Sequence, residues 1–150
     1  MKGTETIGLC RVLKEKNITI KEGFKNISEL VNFSLSIIYS DISDEVLKKM
    51  IETKKEQMYL STVFDNGLFI PHIKIDLAKD FYASLVILKS PLILEENKKI
   101  HICFTLISPL NKKFFEKHLK ILSSVASTFK NPDDFKNLTP LEVYNKITQK

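Results

Sequence analysis

Between residues 26 and 57, apolar side chains recur every three or four positions, the spacing of one helix face. Leu30, Phe33 and Ile37 form the first stripe and predict a helix over about Asn26 to Tyr39. Asn26 or Ser28 stands where a cap for its first turn is needed. Val46, Leu47, Met50 and Ile51 form the second stripe, behind the cap signal Ser43-Asp44-Glu45-Val46. They predict a helix over about Ser43 to Gln57. The pattern then changes. Leu68 to His72 reads as a short apolar strand leaving a turn at Asn66-Gly67. Tyr82 to Leu88 and Ile100 to Ile107 are near-continuous apolar runs, ended by Ser90-Pro91 and Ser108-Pro109. Runs without alternation fit strands covered on both faces. Helical spacing returns with Leu119, Leu122, Val125, Ala126 and Phe129, predicting a helix over about Lys113 to Lys130 that Asn131-Pro132 stops. A last helix opens at Thr139-Pro140 and ends near Thr148. Alternating strands and helices predict an α/β fold: a single layered domain over residues 1–150, its mixed β-sheet flanked by helices on both faces.

Composition narrows the function classes. A chain of 150 residues, 43% of them hydrophobic, can bury a real core. No apolar run is long enough for a membrane span, and Met1 to Thr6 lacks the apolar region of a signal peptide. Direct membrane insertion is not expected. Cys10 and Cys103 show no metal-ligand spacing, and Cys103 lies inside an apolar run. A reduced, cytoplasmic protein without metal or cofactor is the expectation. The net charge of +5 is almost all lysine, because Arg11 is the only arginine. Acids interrupt the lysines, as in Lys14-Glu15-Lys16 and Lys54-Lys55-Glu56. No basic stripe with interleaved aromatics appears, so nucleic acid is not an expected partner. A basic surface also suits an acidic protein partner.

The candidate chemistry centres on Pro71-His72. Proline fixes its own φ and lacks an N–H, so the next side chain is held with restricted backbone freedom. An imidazole held that way suits proton or phosphoryl transfer: it titrates near neutrality and its two nitrogens can take different jobs. Phosphoryl transfer needs one ring nitrogen free to attack and the other tied to an acceptor. His101 sits between Ile100 and Ile102 and reads as a structural histidine.

Ser61-Thr62, the turn Asp65-Asn66-Gly67, the strand into Pro71-His72, the run Ile100 to Pro109 and then His118-Leu119 follow one another in a particular order. In that order the stretch from Arg11 to Ile147 resembles the EIIA domain of the sugar phosphotransferase system, fructose/mannitol type. That group includes the stand-alone nitrogen-regulatory EIIA proteins. The resemblance implies that His72 takes a phosphoryl group through Nε2 from an HPr-like phosphocarrier protein. It implies that His118 supports the group from beside His72, and that Ser61 and Thr62 donate hydrogen bonds to it. It further implies passage of the group to an EIIB protein, or control of a regulated target protein. No fused EIIB or EIIC domain is expected, which favours the regulatory branch.

One element departs from the family. Its members carry Arg-Glu just upstream of Ser-Thr, where this chain has Glu56 and Gln57. A guanidinium clamps a phosphoryl group bidentately, whereas a carboxylate repels it. Two like charges 4 Å apart cost roughly 1 kcal/mol in water and about 4 kcal/mol at an effective dielectric of 20. Val63 and Asp65 also replace turn glycines of the family. Lys54 and Lys55, or Lys112 and Lys113, are candidates to supply the missing charge, Lys55 and Lys113 foremost. Two readings follow: a phosphocarrier on His72, or a protein-binding module that has kept the fold without the transfer. A small enzyme using His72 as general base is a third class, without a nucleophile or metal set to support it.

Overall fold

A computed structural model describes residues 12–148, apart from the side chain of Glu96. Among the described residues, five strands and four α-helices follow one another as one strand, two helices, four strands and two helices. Strand β1 (Ile18–Lys21) precedes helices α1 (Ile27–Tyr39) and α2 (Glu45–Lys54). Strands β2 (Leu68–Phe69), β3 (His72–Ile75), β4 (Tyr82–Ile93) and β5 (Lys99–Pro109) follow. Helices α3 (Phe115–Thr128) and α4 (Pro140–Thr148) close the order. The sheet is mixed. β1 lies parallel to β4, β4 runs antiparallel to β5, and β2 and β3 both pair in parallel with β5.

Each face of that sheet carries its own core. Val86, Leu88, Cys103 and Ile107 pack with Leu30, Leu35 and Ile38 of α1 and with Leu47 and Ile51 of α2. Leu85, Ile87, Ile102 and Phe104 face the other way, against Ile121 and Val125 of α3, Phe129 just after it, and Val143 and Ile147 of α4. Successive strand residues point to opposite faces, so covering both faces requires an unbroken apolar run.

Capping fixes the first two helices. Asn26, rather than Ser28, accepts from the Glu29 amide at 2.8 Å, and Asp44 accepts from the Val46 amide at 2.9 Å. α2 stops at Lys54 and tightens into a 3₁₀ turn over Lys55–Leu60, and Val46 is exposed rather than on its apolar face.

Three further expectations need correction. β4 runs on through Ser90-Pro91, because its register with β5 shifts between Ile87 and Leu92 and that irregularity absorbs the proline. The Pro-His strand is two short strands broken at Ile70-Pro71, so His72 opens β3 rather than ending a strand. On α3 the inward positions are His118, Ile121 and Val125, while Leu119 is 64% exposed. Neighbouring helix residues lie about 100° apart, so His118 and Leu119 cannot both face the sheet. His118 takes the inward place because Ser108 on β5 offers it a hydrogen bond.

Candidate active site

The turn ahead of His72 is built from Asn66 and Gly67. Gly67 has φ +94°, and a Cβ there would stand 2.4 Å from Cδ2 of His101. Only glycine fits such a backbone and such an approach. The Asn66 side chain accepts from the Leu68 amide and donates to the Lys130 carbonyl, tying the turn to the chain after α3. β2 then pairs with Ile102 and Cys103, and β3 resumes the pairing at His72 opposite Leu106. Between them Pro71 has no amide to donate, although its carbonyl accepts from Leu106 at 3.0 Å. The interruption leaves the Ile70 carbonyl to the His72 ring.

That contact sets the chemistry of His72. Its Nδ1 lies 2.7 Å from the Ile70 carbonyl oxygen. A carbonyl can only accept, so Nδ1 carries the proton and donates. In the neutral ring Nε2 then carries the free lone pair. The ring of His118 lies 5.5 Å away between centroids, inclined by 53°. His118 is 4% exposed, and its Nδ1 is 2.6 Å from Ser108 Oγ, a pair in which either the hydroxyl or the ring N–H donates. Burial, with His72 and Lys74 adding to it, pushes the His118 pKa down to about 4. His118 is therefore an uncharged imidazole at neutral pH.

The two rings share an open depression of about 490 Å³. Gln57 and Leu60 line it from the 3₁₀ turn, Ser61 and Thr62 from the residues after it, and Ile73 and Lys74 from β3. No carboxylate is among these lining residues.

Four of the site residues read from the sequence thus come together: His72, His118, Ser61 and Thr62. The two lysines do not join them. Lys55 is held by Glu52 Oε1 at 2.7 Å and by Asn32 Oδ1 at 2.7 Å. Lys113 lies with Lys112 and Asp76 on a different depression, its ammonium 5.2 Å from the Phe114 ring centroid. Glu56 is exposed and does not line the depression; Gln57 does. The repulsive carboxylate expected from the sequence is thus not on the wall beside His72. Arg11 and Cys10 lie outside the described residues. Sequence reasoning missed Lys74, although the strand period could have found it, since residues i and i+2 share one face. His101 packs its ring on Gly67, with Nδ1 buried and without a hydrogen-bond partner. Burial, chiefly, lowers its pKa.

Comparison with known proteins bears on this geometry. The family model for the phosphoenolpyruvate-dependent sugar phosphotransferase system, EIIA 2, matches residues 11–149. No curated protein matches in sequence. Among solved structures, nitrogen regulatory protein IIA-Ntr from Neisseria meningitidis is similar in fold, with TM-score 0.73 and 19% identity over 95% of this chain and 99% of that one. The mannitol-specific cryptic phosphotransferase enzyme IIA CmtB from Escherichia coli superposes with TM-score 0.66 and 16% identity, over 93% of this chain and 97% of that one. Enzyme IIA of the mannitol system, solved in complex with its phosphorylated enzyme IIB from Escherichia coli, superposes with TM-score 0.65 and 11% identity, over 91% of this chain and 98% of that one. At these identities the likeness is one of fold.

Proposed function

The chain belongs to the EIIA 2 family of the phosphoenolpyruvate-dependent sugar phosphotransferase system, and on that premise we propose that it is a phosphocarrier whose His72 accepts a phosphoryl group from an HPr-like protein. The observation that carries this reading is the Nδ1–H bond from His72 to the Ile70 carbonyl, which leaves Nε2 as the nucleophile. Nε2 attacks the phosphorus of the donor's phosphohistidine. A nitrogen–phosphorus bond forms at Nε2 while the donor's breaks, and the electron pair of the broken bond returns to the donor ring. The Nδ1 proton stays in place, and the carbonyl oxygen meets the positive charge the ring gains.

The surrounding groups fit that step. In this reading the Ser108 hydroxyl donates to His118 Nδ1, which leaves His118 Nε2–H to donate to a phosphoryl oxygen. An uncharged His118 costs no repulsion against the ring that becomes cationic. Ser61 and Thr62 bring hydroxyl donors to the same wall. Leu60, 86% exposed, lines the depression, and exposed Leu119 follows His118 on α3, so apolar contact area for a protein partner adjoins the nucleophile.

The phosphoryl group then passes to an EIIB-type protein, or its charge governs contact with a regulated target, the regulatory form being favoured. No helix of the described residues is long and apolar enough to cross a membrane. Together with the buried free thiol of Cys103, this fits work in the cytoplasm.

A second reading is a binding module without transfer, drawn from Glu56 and Gln57 standing where the family carries Arg-Glu. One assay separates the two. The chain is incubated with phosphoenolpyruvate, enzyme I and HPr, and intact mass and acid lability report phosphohistidine. Labelling that disappears in His72→Ala is the expected result. An unlabelled chain, with the donors active on another EIIA, leaves the binding module.

A further inference from the structure

We propose that Lys74 is the cation that balances the charge of a phosphoryl group on His72. This rests on the phosphocarrier reading and deepens it by one residue. On β3, Ile73 and Ile75 are buried, while His72 and Lys74 are half-buried on the opposite side of the strand. Both belong to the depression that His118 closes. The Lys74 ammonium stands 4.1 Å from the centroid of the Phe115 ring. Phe115 precedes His118 by three residues on α3, so the two share a helix face and the ammonium is held beside His118. Its field is one of the causes that keep His118 unprotonated.

No other described lysine lines the depression, and no carboxylate shares the wall. Lys55 is engaged by Glu52 and Asn32. Lys74 itself has no salt-bridge partner among the described residues. An aromatic face holds an ammonium only weakly where solvent reaches it. A phosphoryl group bearing nearly two negative charges attracts the ammonium more strongly, and the flexible lysine stem needs no fixed fork to meet it. Phe115 thus keeps the charge beside the site until the phosphoryl group arrives.

The test uses the full chain labelled with phosphoramidate, which needs no partner protein. His72 Nε2 bonds to phosphorus as the reagent's phosphorus–nitrogen bond breaks and ammonia leaves. The phosphoryl pKa is then read by ³¹P NMR. A nearby cation favours the dianion, so Lys74→Met raises that pKa by about 0.5–1 unit. Lys74→Arg keeps it near the wild-type value. Lys146→Met, which removes an ammonium held over a different ring, Phe135, leaves it unchanged. The Lys74 side-chain resonance of the wild type shifts on labelling, a readout that stands even where a variant fails to fold. A labelled wild type whose Lys74 resonance stays still, or a folded Lys74→Met that titrates with it, overturns the role of Lys74 alone. A wild type that takes no phosphoryl group on His72 overturns the phosphocarrier reading and this role together.

Discussion

Two histidines lie on neighbouring parallel strands of the sheet, and they do opposite things. His101, on β5, packs its ring on Gly67, and its buried Nδ1 finds no hydrogen-bond partner. His72, opposite Leu106 farther along β5, donates Nδ1–H to a carbonyl two residues behind it and turns its other nitrogen toward an open depression. Residue type is the same in both places. The difference is an acceptor that fixes the tautomer, and free volume beside the unprotonated nitrogen. One ring fills space, and the other is set up as a nucleophile.

The strongest way to break that comparison is to remove each ring in turn. His72→Ala abolishes acid-labile phosphate, whereas His101→Leu keeps the wild-type level, both read by intact mass. Loss of labelling in folded His101→Leu would erase the distinction.

Next in size is the turn that His101 covers. Gly67→Ala introduces a Cβ 2.4 Å from His101 Cδ2 at φ +94°, and is expected to cost about 2–4 kcal/mol in urea unfolding. Combining it with His101→Ala relieves the clash and leaves the backbone term. A double variant as unstable as Gly67→Ala would place all the strain in the backbone.

Acid sharpens the comparison further. Above pH 6.5 the His118 ring is neutral in both folded and unfolded chains, so it has no effect on stability. As pH falls below 6.5 the unfolded chain gains a proton that the folded chain refuses until about pH 4. Stability therefore drops across that window, by roughly 3 kcal/mol from this ring. His101, also lowered, acts in the same direction, so urea melts of His101→Leu isolate the His118 part. A flat profile in that variant would mean that His118 accepts a proton readily.

The smallest effect belongs to Lys55. Its pair with Glu52 lies at the surface, and Lys55→Met should cost under about 1 kcal/mol while leaving phosphorylation intact. A large loss of labelling would return Lys55 to the site.

Much of this is legible in the sequence. The uniform apolar runs announced strands covered on both sides, and Val86 and Leu85 do face different helix pairs. His72 and His118 stood out by their motifs and do meet. Hydrophobicity alone favours Leu119 on the inward face of α3, which puts the helix in the wrong phase. A buried histidine is stabilised by a partner distant in sequence, here Ser108. Closeness along the chain points to the lysines near Ser61 and His118, but Lys55 and Lys113 turn to Glu52 and toward Phe114.

The sequence by itself determined the layered α/β architecture, the glycine turn and the identity of the paired histidines. Periodicity and backbone restriction act over a few residues, so each of these is written locally. Tertiary structure alone decided which nitrogen of His72 is free, why His118 stays neutral and which lysine reaches the site. Those depend on groups brought together across the sheet: a carbonyl released by a broken ladder, a serine on β5, and a phenyl ring on α3 that holds an ammonium. Charge and proton position are set by short-range contacts in space, and no spacing along the chain encodes them directly.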